Sequence, residues 1–173
     1  MSKKDMTGKK IAETGLLTAL AMVLSYVESL IPFSIAVPGV KLGLANIVVL
    51  FALYRLGTAQ AFVISFIRVV LVTFLFGNGF ALVYSLSGAV LSLCAMLAFM
   101  KIGRLSPVGV GVIGGVSHNL GQILCAIVIL ETRRLIYYLP VLLVSGTAAG
   151  IAIGLVAGLL IDRLEAADTG GQR

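Results

Sequence analysis

The chain is short of charge, of histidine, of cysteine and above all of aspartate, and each shortage removes a class of function. Charged residues make up 12% of the 173 residues, against roughly 25% in soluble domains. So little polar surface cannot cover a water-soluble globule. The three aspartates, Asp5, Asp162 and Asp168, lie outside the apolar stretches, and none belongs to a DDxxD-type pair. An enzyme acting on diphosphates needs clustered carboxylates to hold Mg²⁺, so no catalytic residue is assigned. One histidine and two distant cysteines cannot make a closed zinc site without carboxylate help, and no metal site is assigned. Cys94 and Cys125 stand in apolar runs without CxxC spacing and read as buried structural thiols. The phosphate-loop pattern GxxxxGK[ST] is missing, so any ATP-driven work would fall to another chain. No residue pattern requires a cofactor.

What the chain has instead is hydrophobicity. Sixty per cent of its residues are hydrophobic and 20 are glycine, with a mean hydropathy of +1.12. The expectation is an all-α integral membrane protein, a compact bundle of six transmembrane helices. Spans of about 20 apolar residues are predicted near 11–31, 42–56, 57–76, 80–100, 107–130 and 136–161. They form one transmembrane domain over 11–161, between a basic N-terminus (1–10) and a short, polar, frayed tail (162–173). The first run is longer than a signal-peptide core of about 7–15 residues and no A-x-A-like site follows it, so it is expected to stay in the mature protein. The net charge of +6 is spread between apolar runs and forms no patch, which argues against nucleic acid. With the N-terminus inside, Lys3, Lys4, Lys9, Lys10, Arg55, Lys101, Arg104, Arg163 and Arg173 face the cytoplasm. Only Lys41, Arg133 and Arg134 face outward, which places both termini in the cytoplasm. The segment 32–41 has two prolines and a glycine yet is apolar, and reads as an outer-face lid folded over the bundle.

Gly146, Gly150, Gly154 and Gly158 recur every four residues on one face of the last span, a pattern for close helix packing. Ala12, Gly15 and Ala19 make a similar face on the first. Gly109-Val110-Gly111-Val112-Ile113-Gly114 matches GxGxxG, but it lies inside a predicted membrane helix rather than between strand and helix, so it reads as packing.

The polar residues within the spans need a cause, because polar groups in hydrocarbon are costly without a partner, cavity or ligand. Ser117-His118-Asn119-Leu120-Gly121-Gln122 is the densest cluster. Gly111, Gly115, His118 and Gln122 follow a 4-3-4 spacing and share one face, packed at the inner end and open at the outer. Glu28, Asn46, Arg68, Asn78 and Tyr84 fall in or near the same outer half. That asymmetry predicts a small-molecule site entered from outside, in which Lys41 and Arg68 attract an anionic group. His118, Asn119 and Gln122 would hydrogen-bond a planar or polar moiety. Arg68 has Glu28 as an alternative, structural partner. Tyr137 and Tyr138 read as an aromatic belt.

Three blocks carry a family resemblance: Pro38-Gly39-Val40-Lys41-Leu42-Gly43-Leu44-Ala45-Asn46, then Gly77-Asn78-Gly79-Phe80 with Tyr84-Ser85-Leu86-Ser87-Gly88, then Ser117 to Gln122. Over about residues 10–162 the chain resembles the Gx transporter family, whose members are also labelled heptaprenyl diphosphate synthase component I. That family in turn resembles the substrate-binding S components of energy-coupling factor (ECF) vitamin transporters. The resemblance implies a multi-pass protein of the bacterial cytoplasmic membrane, a gate at 32–41, and ligand contacts near Lys41, Asn46, Asn78, His118, Asn119 and Gln122. It also implies docking of a transmembrane T subunit, with paired ATPases, on an AxxxA face of the first helix. The nearest match here, Gly15-Leu16-Leu17-Thr18-Ala19, departs from that pattern. Some relatives occur beside flavin-transfer and quinone-biosynthesis genes, which implies a flavin or prenyl-quinone role. The other implied function is a non-catalytic membrane accessory of a soluble polyprenyl diphosphate synthase.

Overall fold

The apolar runs are punctuated by glycine, asparagine and Ser-Pro, and the helices begin and end at those residues. The structure, a computed structural model, describes residues 3–30, 43–103 and 105–170, and the side chains of 8–30, 43–103 and 105–167. It contains six α-helices among the described residues: α1 (Lys3–Leu30), α2 (Leu44–Arg55), α3 (Thr58–Phe76), α4 (Gly79–Lys101), α5 (Pro107–Ile129) and α6 (Leu139–Gly170). A 3₁₀ segment, Arg133–Tyr138, leads into α6, and the described residues include no strand. Gly57, at φ 101, makes the turn between α2 and α3 in a conformation open to glycine but not to a side chain. Asn78 caps α4 through its side chain, and Ser106 with Pro107 opens α5.

Five helices are long and apolar enough to cross a membrane, where six spans were expected. The exception is α2. Its 12 residues reach about 18 Å at 1.5 Å each, well short of a hydrocarbon core of ~30 Å. The apolar run over 42–56 marks burial inside protein, not contact with lipid along its length. Ala45, Val48, Val49, Leu50, Ala52 and Leu53 are all buried, and α2 packs on α1, α3 and α6. The ring continues through α3–α4, α4–α5 and α5–α6 contacts. The terminal helices reach beyond the predicted spans. Helix α1 already begins at Lys3, and α6 runs on to Gly170 instead of stopping near Asp162.

The two strongest helix contacts are made by glycine. Gly111 and Gly115 on α5 face Gly150 and Gly146 on α6 so closely that a Cβ at Gly111 or Gly150 would come within 2.5 Å of the other helix's backbone. Gly154 meets Pro107 and Val108 in the same seam, while Gly158 is looser, since a Cβ there would lie 3.6 Å from Pro107. A second face of α5 carries Gly114, against Met96 and Ser92, and Gly121, against Ser87 and Gly88 of α4. Two glycines of the GxGxxG match, Gly111 and Gly114, thus lie in packed seams.

Outward-facing side chains are large and apolar. Phe74 is 80% exposed and Val128 75%, and Leu16, Phe66 and Val144 are exposed as well. In water such a surface would drive aggregation, and in a bilayer it is solvated. It also corrects the reading of the cysteines. Cys94 is exposed and Cys125 is half-buried in a shallow apolar groove with Val83, Leu91, Leu124 and Val128. An apolar run in a membrane helix need not face the bundle interior.

Candidate ligand cavity

Helices α1 and α3 finish, and α2 and α4 start, at the same end of the bundle. A cavity of about 260 Å³ runs from that end toward the middle. Glu28 and Ser29 come from the last turn of α1, Gly43 and Asn46 from the start of α2, and Arg68 to Phe76 from α3. Ala81 and Ser85 come from the first turns of α4, His118 and Asn119 from α5, and Gly146 to Ile153 from α6. Every described helix contributes.

Arg68 is the central charge. Its Nη1 donates to Ser25 Oγ and its Nη2 to Asn46 Oδ1, both at 3.4 Å, while Nε has no hydrogen-bond partner among the described residues. Contacts that long lie beyond the usual 2.7–3.2 Å range for N–H···O bonds. The pairing with Glu28 considered from the sequence does not form as a contact. No Arg68–Glu28 ion pair lies within 4 Å, the described pair being Lys9–Glu13 on α1. Glu28 Oε1 instead accepts the backbone N–H of Gly43 at 2.6 Å. Gly43 sits at φ 72, and this bond ties the end of α1 to the entry of α2. A side chain at Gly43 would be strained and would crowd Asn46 and Ile153 at 3.2 Å.

Five of the eight expected ligand residues therefore meet at one cavity: Glu28, Asn46, Arg68, His118 and Asn119. Asn119 does so with its amide already engaged, since Nδ2 donates to Leu142 O at 2.7 Å and to Ser145 Oγ at 3.4 Å. Two others are not among the lining residues. Asn78 is exposed and its Oδ1 accepts from Ala81 N at 2.9 Å as the α4 cap. Gln122 is only 1% exposed and packs against Gly88, where a Cβ would meet its Cγ at 2.8 Å. The face shared by Gly111, Gly115, His118 and Gln122 persists, but its neighbour changes along α5 from α6 to α4. Lys41 and the 32–41 lid lie outside the described residues.

Sequence reasoning missed Ser25, Thr73 and Ser85, all on the cavity wall. Ser25 had a legible signal, standing three residues before Glu28 on one helix face. Ser85 lies within the Tyr84–Gly88 block but offers no charge to mark it. The described residues hold no group of three or more His, Cys, Asp or Glu able to bind a metal ion. The docking candidates Gly15 and Ala19 are exposed on α1, with nothing within 4 Å of a Cβ at Gly15.

Residues 17–160 match the family model described as heptaprenyl diphosphate synthase component I. No curated protein and no solved structure shows a significant match.

Proposed function

The chain belongs to the heptaprenyl diphosphate synthase component I family, and from that premise we propose that it is a non-catalytic membrane subunit of a polyprenyl diphosphate synthase. One observation carries this reading: the family match runs from within α1 to within α6. The chemistry of the chain agrees with an accessory role. Prenyl transfer needs carboxylates gathered around Mg²⁺, and this chain's aspartates are Asp5, Asp162 and Asp168, near its two ends. The catalytic carboxylates would come from a soluble partner.

A second reading has its own support in the cavity. The Lys/Arg bias favours cytoplasmic termini in a bacterial inner membrane, and under it the cavity opens at the outer face, away from Lys9, Lys10, Arg55, Lys101 and Arg163. A cavity there suits a small-molecule uptake subunit resembling an ECF S component better than contact with a cytoplasmic enzyme. Its partners would be a T subunit with ATPases, docked on the open Gly15–Ala19 face. A flavin or another small anionic or planar molecule would be the ligand.

Purification of the tagged chain from its native membrane in mild detergent separates the two readings. The first predicts co-purification of a soluble, aspartate-rich synthase. Recovery of an ATPase pair and a second membrane subunit, with no synthase, would overturn it in favour of the second.

A further inference from the structure

Resting on the reading of this cavity as a ligand site, we infer that it takes a small monoanion, a carboxylate-bearing molecule of about one ring, and rejects a diphosphate. Arg68 is the one Lys or Arg, and Glu28 the one Asp or Glu, among the described lining residues. They do not neutralise each other by contact, because Glu28 Oε1 is held by the Gly43 N–H and no ion pair closes within 4 Å. Among the described residues the guanidinium meets only neutral oxygens, both at 3.4 Å, and its Nε meets none. A guanidinium has five N–H donors and no acceptor, and away from water it is costly without an anion. A planar carboxylate matches its fork through two parallel bonds.

Glu28 sets the upper limit on ligand charge. Among the described residues a multiply charged diphosphate would find one Lys or Arg, one opposing carboxylate, and no cluster that could bring in Mg²⁺. Volume sets the upper limit on size. The cavity, about 260 Å³, lies just under the ~300–1,000 Å³ of pockets for drug-sized ligands. A cavity of that size suits a one-ring ligand better than a lengthening prenyl chain. Ser85 and His118, on α4 and α5, add polar groups to the cavity wall.

The test is thermal unfolding of the full-length protein in detergent with three probes: benzoate, its neutral isostere benzamide, and inorganic diphosphate with and without Mg²⁺. Benzoate should raise the melting temperature saturably, while benzamide and diphosphate do so weakly or not at all. Arg68→Gln should weaken the benzoate response roughly tenfold or more, the scale expected for loss of a charged hydrogen-bond pair. Arg68→Lys, which keeps the charge but loses the fork, should weaken it less. Glu28→Gln should keep benzoate binding and improve diphosphate binding. Equal responses to benzoate and benzamide would sink the monoanion inference while leaving the cavity a ligand site. Diphosphate matching benzoate in the unmodified protein would do the same, as would an unchanged benzoate response in Arg68→Gln. No response to any probe would overturn both inference and cavity reading. The comparison of probes on the unmodified chain stands even if a variant fails to fold, and it is independent of whether a synthase co-purifies.

Discussion

At Asn119 one amide nitrogen ties α5 to α6, donating to the Leu142 carbonyl at 2.7 Å and to Ser145 Oγ at 3.4 Å. The residue is buried, so truncation leaves the Leu142 carbonyl without this partner and opens the seam. Asn119→Ala should cost about 1–3 kcal/mol of stability, measured as a lowered melting temperature in detergent, and a change within error would remove the pin. Gln122 is the opposite case. It is buried against Gly88, and its Nε2 has no hydrogen-bond partner among the described residues. Gln122→Met keeps the volume and removes an unsatisfied donor, so it should cost less than ~1.5 kcal/mol. A larger loss would show that the carboxamide is engaged. From sequence these neighbours looked alike, two uncharged amides one turn apart. Only the packing separates a side chain bonded across a seam from one wedged beneath a glycine.

Among the helices, α5 is the one clamped from two sides. Its Gly111 and Gly115 meet α6, and its Gly114 and Gly121 meet α4, so backbones approach where side chains would hold them apart. At Gly150 a Cβ would sit 2.5 Å from Gly111 O and from Val112 Cα, both backbone atoms that cannot rotate away. Gly150→Ala should therefore destabilise by about 1–3 kcal/mol despite alanine's better helix propensity. Gly15→Ala on α1 is the matched control. Nothing lies within 4 Å of its Cβ, so the chain should unfold at the same temperature or slightly higher. Equal losses at both sites, read from melting curves, would rule out the close seam as the cause. The four-residue glycine spacing in α6 was visible in the sequence, while its partner was not. A spacing defines a face, but the rotation of the neighbouring helix decides what meets it.

For the molecule as a whole, the charge bias and the cavity's position together predict an orientation that labelling can test. With Cys94 and Cys125 replaced by serine, a cysteine placed at exposed Asn78 should react with a membrane-impermeant maleimide added outside intact cells. One placed at Lys101, at the other end of α4, should react only after permeabilisation. The reverse pattern would put the cavity on the cytoplasmic side and remove the main support for the uptake reading. It would also bring the cavity to the face where a soluble synthase would sit.

The sequence by itself determined that this is a helical membrane protein and where most of its helices begin and end. Hydropathy is a sum over consecutive residues, and caps such as Asn78 and Ser106 act within a single turn, so both are local quantities. Tertiary structure decided the rest. It showed that α2 is a buried half-length helix, because its neighbours and not its composition cover it. It brought Glu28, Asn46, Arg68, His118 and Asn119 to one cavity, left Asn78 off its wall, and set Gln122 behind Gly88. Those outcomes depend on how helices far apart in the chain rotate against one another, and for α4, α5 and α6 the glycine seams on two sides of α5 limit that rotation.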